Sequence, residues 1–287
     1  MNNDLTLASQ TDKVATRAAA TSVSPSVVRT VLMHEWRSVR RNRGVVLFTI
    51  GTWLLTEGVL RLTGSADRSL VSLLNLVLFL VPLVSLMLGI IGWHSSREFT
   101  ELLLTQPVKR TRLFLALYLG QVLPLALGFA LAVFFPLAMH RALGPEVAAL
   151  ALATIGSGVA LAFVFGGFAL LIGVRIDDRL RSVVVGLMLW LLLSVGYDAL
   201  VLLVSTTFSD YPLERPMLAL MLGNPIDLAR SVIVLHSDTA ALMGYTGAVL
   251  KRFLGTPLGT LSAVIGLLLW MSVPAFLARR IFNNRDF

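Results

Sequence analysis

The chain offers few residues that could do chemistry, and their spacing narrows what chemistry that is. Its four histidines, His34, His94, His140 and His236, stand far apart, with no H-E-x-x-H or other close metal-ligand spacing, so no metal site is expected. There is no cysteine, which removes thiolate ligands, disulfides and thiol nucleophiles together. No G-x-x-x-x-G-K-[ST] loop occurs, so the chain has no phosphate cradle with which to hydrolyse ATP itself. The stretch "IGSG" at 155–158 is not a G-x-S-x-G nucleophile elbow, and its glycines suit close helix packing instead. An acid, base and nucleophile that converge are nowhere visible, so an intramembrane enzyme is the least supported class.

There remains a handful of acids in apolar company. Glu57 precedes Arg61 by one helical turn, so the two can satisfy each other. Asp198, after Tyr197 in "SVGYDALVLL", has no obvious partner nearby in sequence. An intramembrane carboxylate is either a functional site or a polar clasp to another helix, and both readings stand for Tyr197 and Asp198. In "NPIDLARSVIVL", Asn224 before Pro225 is pushed toward extended backbone, and Asp227 falls in the first turn of the helix that "LARSVIVL" suggests. A helix start is the favoured reading there over direct ligand contact. Met217, Met221, His236 and Met243 are soft or borderline metal-ligand types in the same region, but their spacing is not diagnostic and apolar packing explains the methionines.

The elements that must position these residues are membrane helices. Of 287 residues 56% are hydrophobic and 14% charged, and the mean hydropathy is +0.81. That composition excludes a soluble domain, in which about a quarter of the residues are charged. Six segments are long and apolar enough to cross a hydrocarbon layer, which takes about 20 helical residues. They lie near 44–62, 70–93, 113–139, 147–174, 182–208 and 258–278. Six crossings put both termini on one side. Seventeen Lys and Arg fall on that side and seven on the other, so the positive-inside tendency makes both termini cytoplasmic. The same bias accounts for the net charge of +8 without any nucleic-acid partner.

Residues 1–25 lack the apolar core of a signal peptide and read as a disordered cytoplasmic tail. Residues 26–43, "SVVRTVLMHEWRSVRRNRG" with its following glycine, place Val27, Val28, Val31, Leu32, Trp36 and Val39 at helical spacing with arginines largely off that face. An amphipathic helix against membrane lipid is expected there. Residues 44–287 form the transmembrane domain. Within it, 209–257 is an outer hairpin whose short runs between Pro212, Pro216 and Pro225 suit interfacial or re-entrant helices. The pairs Ala162 with Gly166 and Ala169 with Gly173 signal close packing, more within the chain than between chains.

The most unusual stretch is "REFTELLLTQPVKRTR", Arg97 to Arg112. Phe99, Leu102 and Leu103 share a helical face, Glu98 and Glu101 lie beside it, and Pro107 ends the helix ahead of Lys109, Arg110 and Arg112. A short amphipathic helix on the cytoplasmic side would offer an acidic and apolar surface to a partner. With the run into the next span, "ELLLTQPVKRTRLFLALYLG" resembles the cytoplasmic loop of type-2 ABC exporter permeases, whose pattern is close to E-L-L-L-T-x-P-V-x-R. The match falls on Glu101, Leu102, Leu103, Leu104, Thr105, Pro107, Val108 and Arg110. Two positions depart from that family, which often has a glycine at Glu98 and a lysine at Leu117.

"FLVPLVSLMLG", "YDALVLL", "NPIDLARSVIVL" and "ARRIFNNRDF" are similar to the branch of the family that serves maturation of the copper sites of nitrous oxide reductase. The matches fall on Pro82, Tyr197, Asp198, Asn224, Pro225 and Asp227. The resemblance covers most of residues 30–287. It implies an all-α permease in the bacterial inner membrane, paired with a second copy of itself and with two copies of a cytoplasmic P-loop ATPase that carries the ATP and Mg. It also implies that residues 97–112 form the coupling helix on which the ATPase docks, and that a periplasmic copper-binding protein sits on the outer face. Asp177, Asp178 and Arg179 in "RIDDRLRS" would be the second, smaller docking contact, with a solvated turn as the equal alternative. Export of a substrate and mechanical transmission to the outer partner are the two functions this leaves open.

Overall fold

The computed structural model describes residues 43–64, 66–105, 109–140, 144–208, 214–236 and 257–285. The expected tail, the amphipathic helix at 26–43 except its last residue, Pro107 and Met243 lie outside the described residues. Within them every regular element is a helix. These are α1 (Arg43–Thr63), α2 (Ala66–Leu104), α3 (Arg110–Met139), α4 (Pro145–Arg175), α5 (Arg179–Leu191), α6 (Tyr197–Thr207), α7 (Glu214–Leu222), α8 (Pro225–Leu235) and α9 (Pro257–Asn284). A single π turn, Leu192–Gly196, joins α5 to α6, so these two run as one crossing. Six helices long and apolar enough to span a membrane result, at the positions the hydropathy predicts.

One boundary differs. The second crossing does not stop near residue 93 but runs on through Leu104 as one 39-residue helix. The reason is local: no proline or glycine interrupts "HSSREFTELLL", and Arg97 bonds Glu101 one turn on at 2.9 Å. At 1.5 Å per residue α2 is about 58 Å long, roughly twice the ~30 Å of hydrocarbon, so the expected docking helix is the projecting end of a span.

α2, α3 and α4 form the centre of the bundle, with α1 against α2 and α3, α9 against α4 and α3, and α5 against α2. Small residues permit the close crossings. A Cβ at Gly166 would collide with Val122, one at Gly158 with the buried ring of Phe129, and one at Gly89 with Ala169, so the small-residue spacing serves packing within the chain. Gly156, two residues from Gly158, has nothing within 4 Å of its Cβ position. The two glycines should therefore answer oppositely to alanine. Gly156→Ala gains up to about 1 kcal/mol of helix propensity. For Gly158→Ala an overpacking cost of about 1–3 kcal/mol outweighs that gain, and thermal unfolding in detergent should show the loss.

Around one end, Trp93, Phe114, Tyr118 and Phe282 make a second apolar cluster that ties α2, α3 and α9 together. Trp93 and Phe282 meet edge to face at 6.0 Å between centroids. At the other end α8 sinks into the bundle against α4 and α9, with nine of its eleven residues buried. The outer-hairpin helix is thus a buried plug rather than a surface element.

Candidate functional sites at the two ends of the bundle

The first site is the end bearing Arg97. The turn after α4 carries Asp177, whose Oδ1 lies 2.7 Å from Arg97 Nη1 and is ion-paired with Arg285 just past α9. Arg285 also donates to the Val174 carbonyl, and its own carbonyl accepts from Arg110 Nη1 at 2.7 Å, with the Asn283 carbonyl at 3.1 Å from the same nitrogen. Burial alone would push the Asp177 carboxyl up. The hydrogen bond and charge of Arg285, and then of Arg97, outweigh it and hold the group below its ordinary range. A depressed carboxylate stabilises above its unfolded pKa, so this junction loses its contribution as pH falls through the lowered value. Asp178 plays a different part, because its carboxylate accepts from Arg181 N at 2.7 Å and caps α5. Ser182, buried beneath it, lies 2.9 Å from His94 Nε2.

These contacts sort the expected docking residues. Glu101 pairs with Arg97, and Arg110, Asp177 and Asp178 serve the fold. Leu103 is half-buried against the Trp93 cluster while Leu102 is exposed, so the leucine patch is divided. Glu98, Phe99, Leu102 and Arg179 face outward, Leu102 with 67% of its surface exposed. Glu98 stands one turn before Leu102 on α2, and Arg179 opens α5.

The second site lies toward the opposite end, where α5–α6 passes α8. Asn224 has the extended backbone expected before proline and caps α8, accepting from Ile226 N at 3.0 Å with Pro225 at the first position. Its amide donates to the Leu193 carbonyl inside the π turn at 2.8 Å and to Asp227 Oδ2 at 3.1 Å. π turns are frequent at functional positions, and this one directs Leu193 to Asn224 and leads at once into Tyr197 and Asp198. Tyr197 OH donates to the Leu220 carbonyl at the end of α7 at 2.5 Å.

Asp198 finds the partner that its neighbourhood in sequence does not supply. Arg230 grips it with two bonds of 3.2 Å and holds Asp227 Oδ1 at 3.1 Å. Arg230 belongs to no expected site. The signal for it is a lone arginine inside the apolar "DLARSVIVL", one turn beyond Asp227, whose cost requires a partner. The structure thus merges Tyr197 and Asp198 with Asn224, Pro225 and Asp227 in one cluster. It leaves Glu57 out: that carboxylate bonds Arg61 at 2.7 Å, as the spacing predicts, and His140 at 3.0 Å. Of the soft ligand types, the Met221 sulfur accepts from Ser231 Oγ at 2.9 Å, and His236 Nδ1 lies 2.8 Å from the Val232 carbonyl. Among the described residues no three His, Asp or Glu stand together as a metal site would require.

No model of a known protein family matches the chain. Curated relatives do. One, named "Probable ABC transporter permease protein NosY", from Pseudomonas aeruginosa, is 28% identical over 276 residues, covering 90% of this chain and 98% of the relative. A protein of the same name from Stutzerimonas stutzeri is 29% identical over 277 residues, covering 85% and 94%.

Proposed function

We propose that this chain, a multi-pass membrane permease of the ABC-transporter type that resembles NosY along nearly its whole length, receives motion from a cytoplasmic P-loop ATPase at the projecting end of α2 and passes it to the outer end. The observation that carries the proposal is α2 itself. One continuous helix, with Pro82 in its interior, joins an exposed apolar tip at Leu102 to the buried packing of the opposite end, so a push on the tip is carried along the crossing. ATP and Mg stay on the partner, two copies of each subunit assemble, and the basic end faces the cytoplasm by its excess of Lys and Arg. The branch of the family it resembles points to delivery for copper-enzyme maturation, with a copper-binding protein on the outer face.

A second reading, transmission without transport, is favoured by the Asp198–Arg230–Asp227 cluster. Its groups satisfy one another, an arrangement suited to holding α6 and α8 as a lever for an outer partner. Proteoliposomes holding the permease, its ATPase and the outer protein separate the two. ATP-dependent movement of copper or a sulfur species across the vesicle supports export. ATP turnover that depends on the outer protein without such movement supports transmission. ATP turnover of the ATPase that is indifferent to the permease would refute both.

A further inference from the structure

We infer that the end of α9 is a third docking surface for the ATPase, one that takes an acidic segment of that subunit; the inference rests on the proposed docking at α2. An open surface pocket of about 380 Å³ is lined by Arg280, Ile281, Asn284 and Arg285, two guanidiniums, an amide and one aliphatic chain. Arg280 is exposed, and among the described residues the lining holds no carboxylate. A groove of this make-up selects an anionic group with a short apolar neighbour, which is the surface of an acidic helix or loop.

Its placement makes the ATPase the occupant. Arg285 is tied through Asp177 to Arg97, seven residues before Leu104 at the tip of α2, and Arg110 on α3 holds the carbonyls of Asn283 and Arg285. The pocket is therefore braced to the same end of the bundle that carries Leu102, by contacts spanning 80 and 108 residues of sequence, and a subunit docked on the tip of α2 would lie at that end. Charge points the same way. Residues 97–112, 175–181 and 279–285 carry ten Lys and Arg against four Asp and Glu. Three of those acids, Glu101, Asp177 and Asp178, are already engaged within the chain. The positive charge of this end complements an acidic segment. Asp177 acts here as a positioning residue: it holds the Arg285 side chain as a wall of the groove.

The test is the full chain in nanodiscs of zwitterionic lipid, titrated with the P-loop ATPase that co-purifies with the unaltered chain. Arg280→Glu should weaken binding about five- to tenfold at low salt, and the difference should shrink at high ionic strength, where exposed charges are screened. Arg280→Gln should lie between the two. Leu102→Asp serves as the control for docking at α2. If Leu102→Asp loses the ATPase while Arg280→Glu binds as the unaltered chain does, the docking stands and the α9 surface is overturned. If Arg280→Glu weakens binding only in nanodiscs made with anionic lipid, the groove holds a headgroup and the inference falls. If no ATPase is retained by the unaltered chain, both fall together.

Discussion

Replacing Arg230 with methionine is expected to destabilise the chain more than any other single change at the cluster of Asp198, Asp227 and Arg230. Methionine keeps the length and apolar stem but removes the guanidinium that bonds Asp198 twice and Asp227 once. Two carboxylates then face each other, Asp227 with only 12% of its side chain exposed. Stripping one partner from a buried pair costs about 3–5 kcal/mol. Asp198 is 40% and Arg230 29% exposed, so screening brings the expectation to about 2–3 kcal/mol. Burial already pushes the Asp227 carboxyl above its ordinary value, against the lowering charge of Arg230. Without Arg230 that carboxyl rises further. A raised acid favours the folded state at low pH and loses that advantage as pH rises through its folded value, so the defect should be smallest in acid and grow toward neutrality. Unfolding in detergent across that range measures it. The triple replacement Arg230→Met, Asp198→Asn, Asp227→Asn should recover most of the loss, because no unpaired charge remains. A defect independent of pH would assign the role of Arg230 to packing alone.

The same cluster marks where sequence reasoning succeeds and where it stops. The six crossings are legible because hydropathy and length are local sums, and the bilayer admits only backbones that satisfy themselves. Asn224 capping α8 is legible because the residue before a proline and the one three positions later constrain a single turn. Glu57 with Arg61 follows from i, i+4 spacing, but its second partner, His140, comes from a different helix, and spacing does not see it. Arg230 with Asp198 spans 32 residues, and Arg285 with Asp177 spans 108. Such pairs are set by which helices cross and at what height, which depends on glycines such as Gly158 and Gly166 and on the π turn before Tyr197. The docking loop shows the limit at the finest scale. Periodicity groups Phe99, Leu102 and Leu103 on one face, yet the Trp93 cluster half-buries Leu103 while Phe99 and Leu102 stay exposed.

That division makes Leu102 and Leu103 the sharpest pair to separate binding from folding. Leu102 is 67% exposed, and an aspartate there meets water, so the fold should lose less than about 0.5 kcal/mol. In a complex the same carboxylate would be buried against whatever apolar groove receives Leu102. It would forfeit the leucine's transfer energy and add the cost of an unpaired charge, together at least about 3 kcal/mol, or a loss of more than about a hundredfold in affinity. Leu103 packs instead on the cluster of Trp93, Leu113 and Phe114. An aspartate there places a charge against that apolar cluster and should lower the unfolding midpoint by several degrees, with weakened binding only as a consequence of the looser α2 end. Co-purification with the ATPase and thermal unfolding, run on both variants, therefore give crossed outcomes: complex lost with the fold kept for Leu102→Asp, fold impaired first for Leu103→Asp. If Leu102→Asp retains the ATPase at full affinity, α2 is not where the two subunits meet, and the account of how ATP energy enters this chain through α2 is wrong.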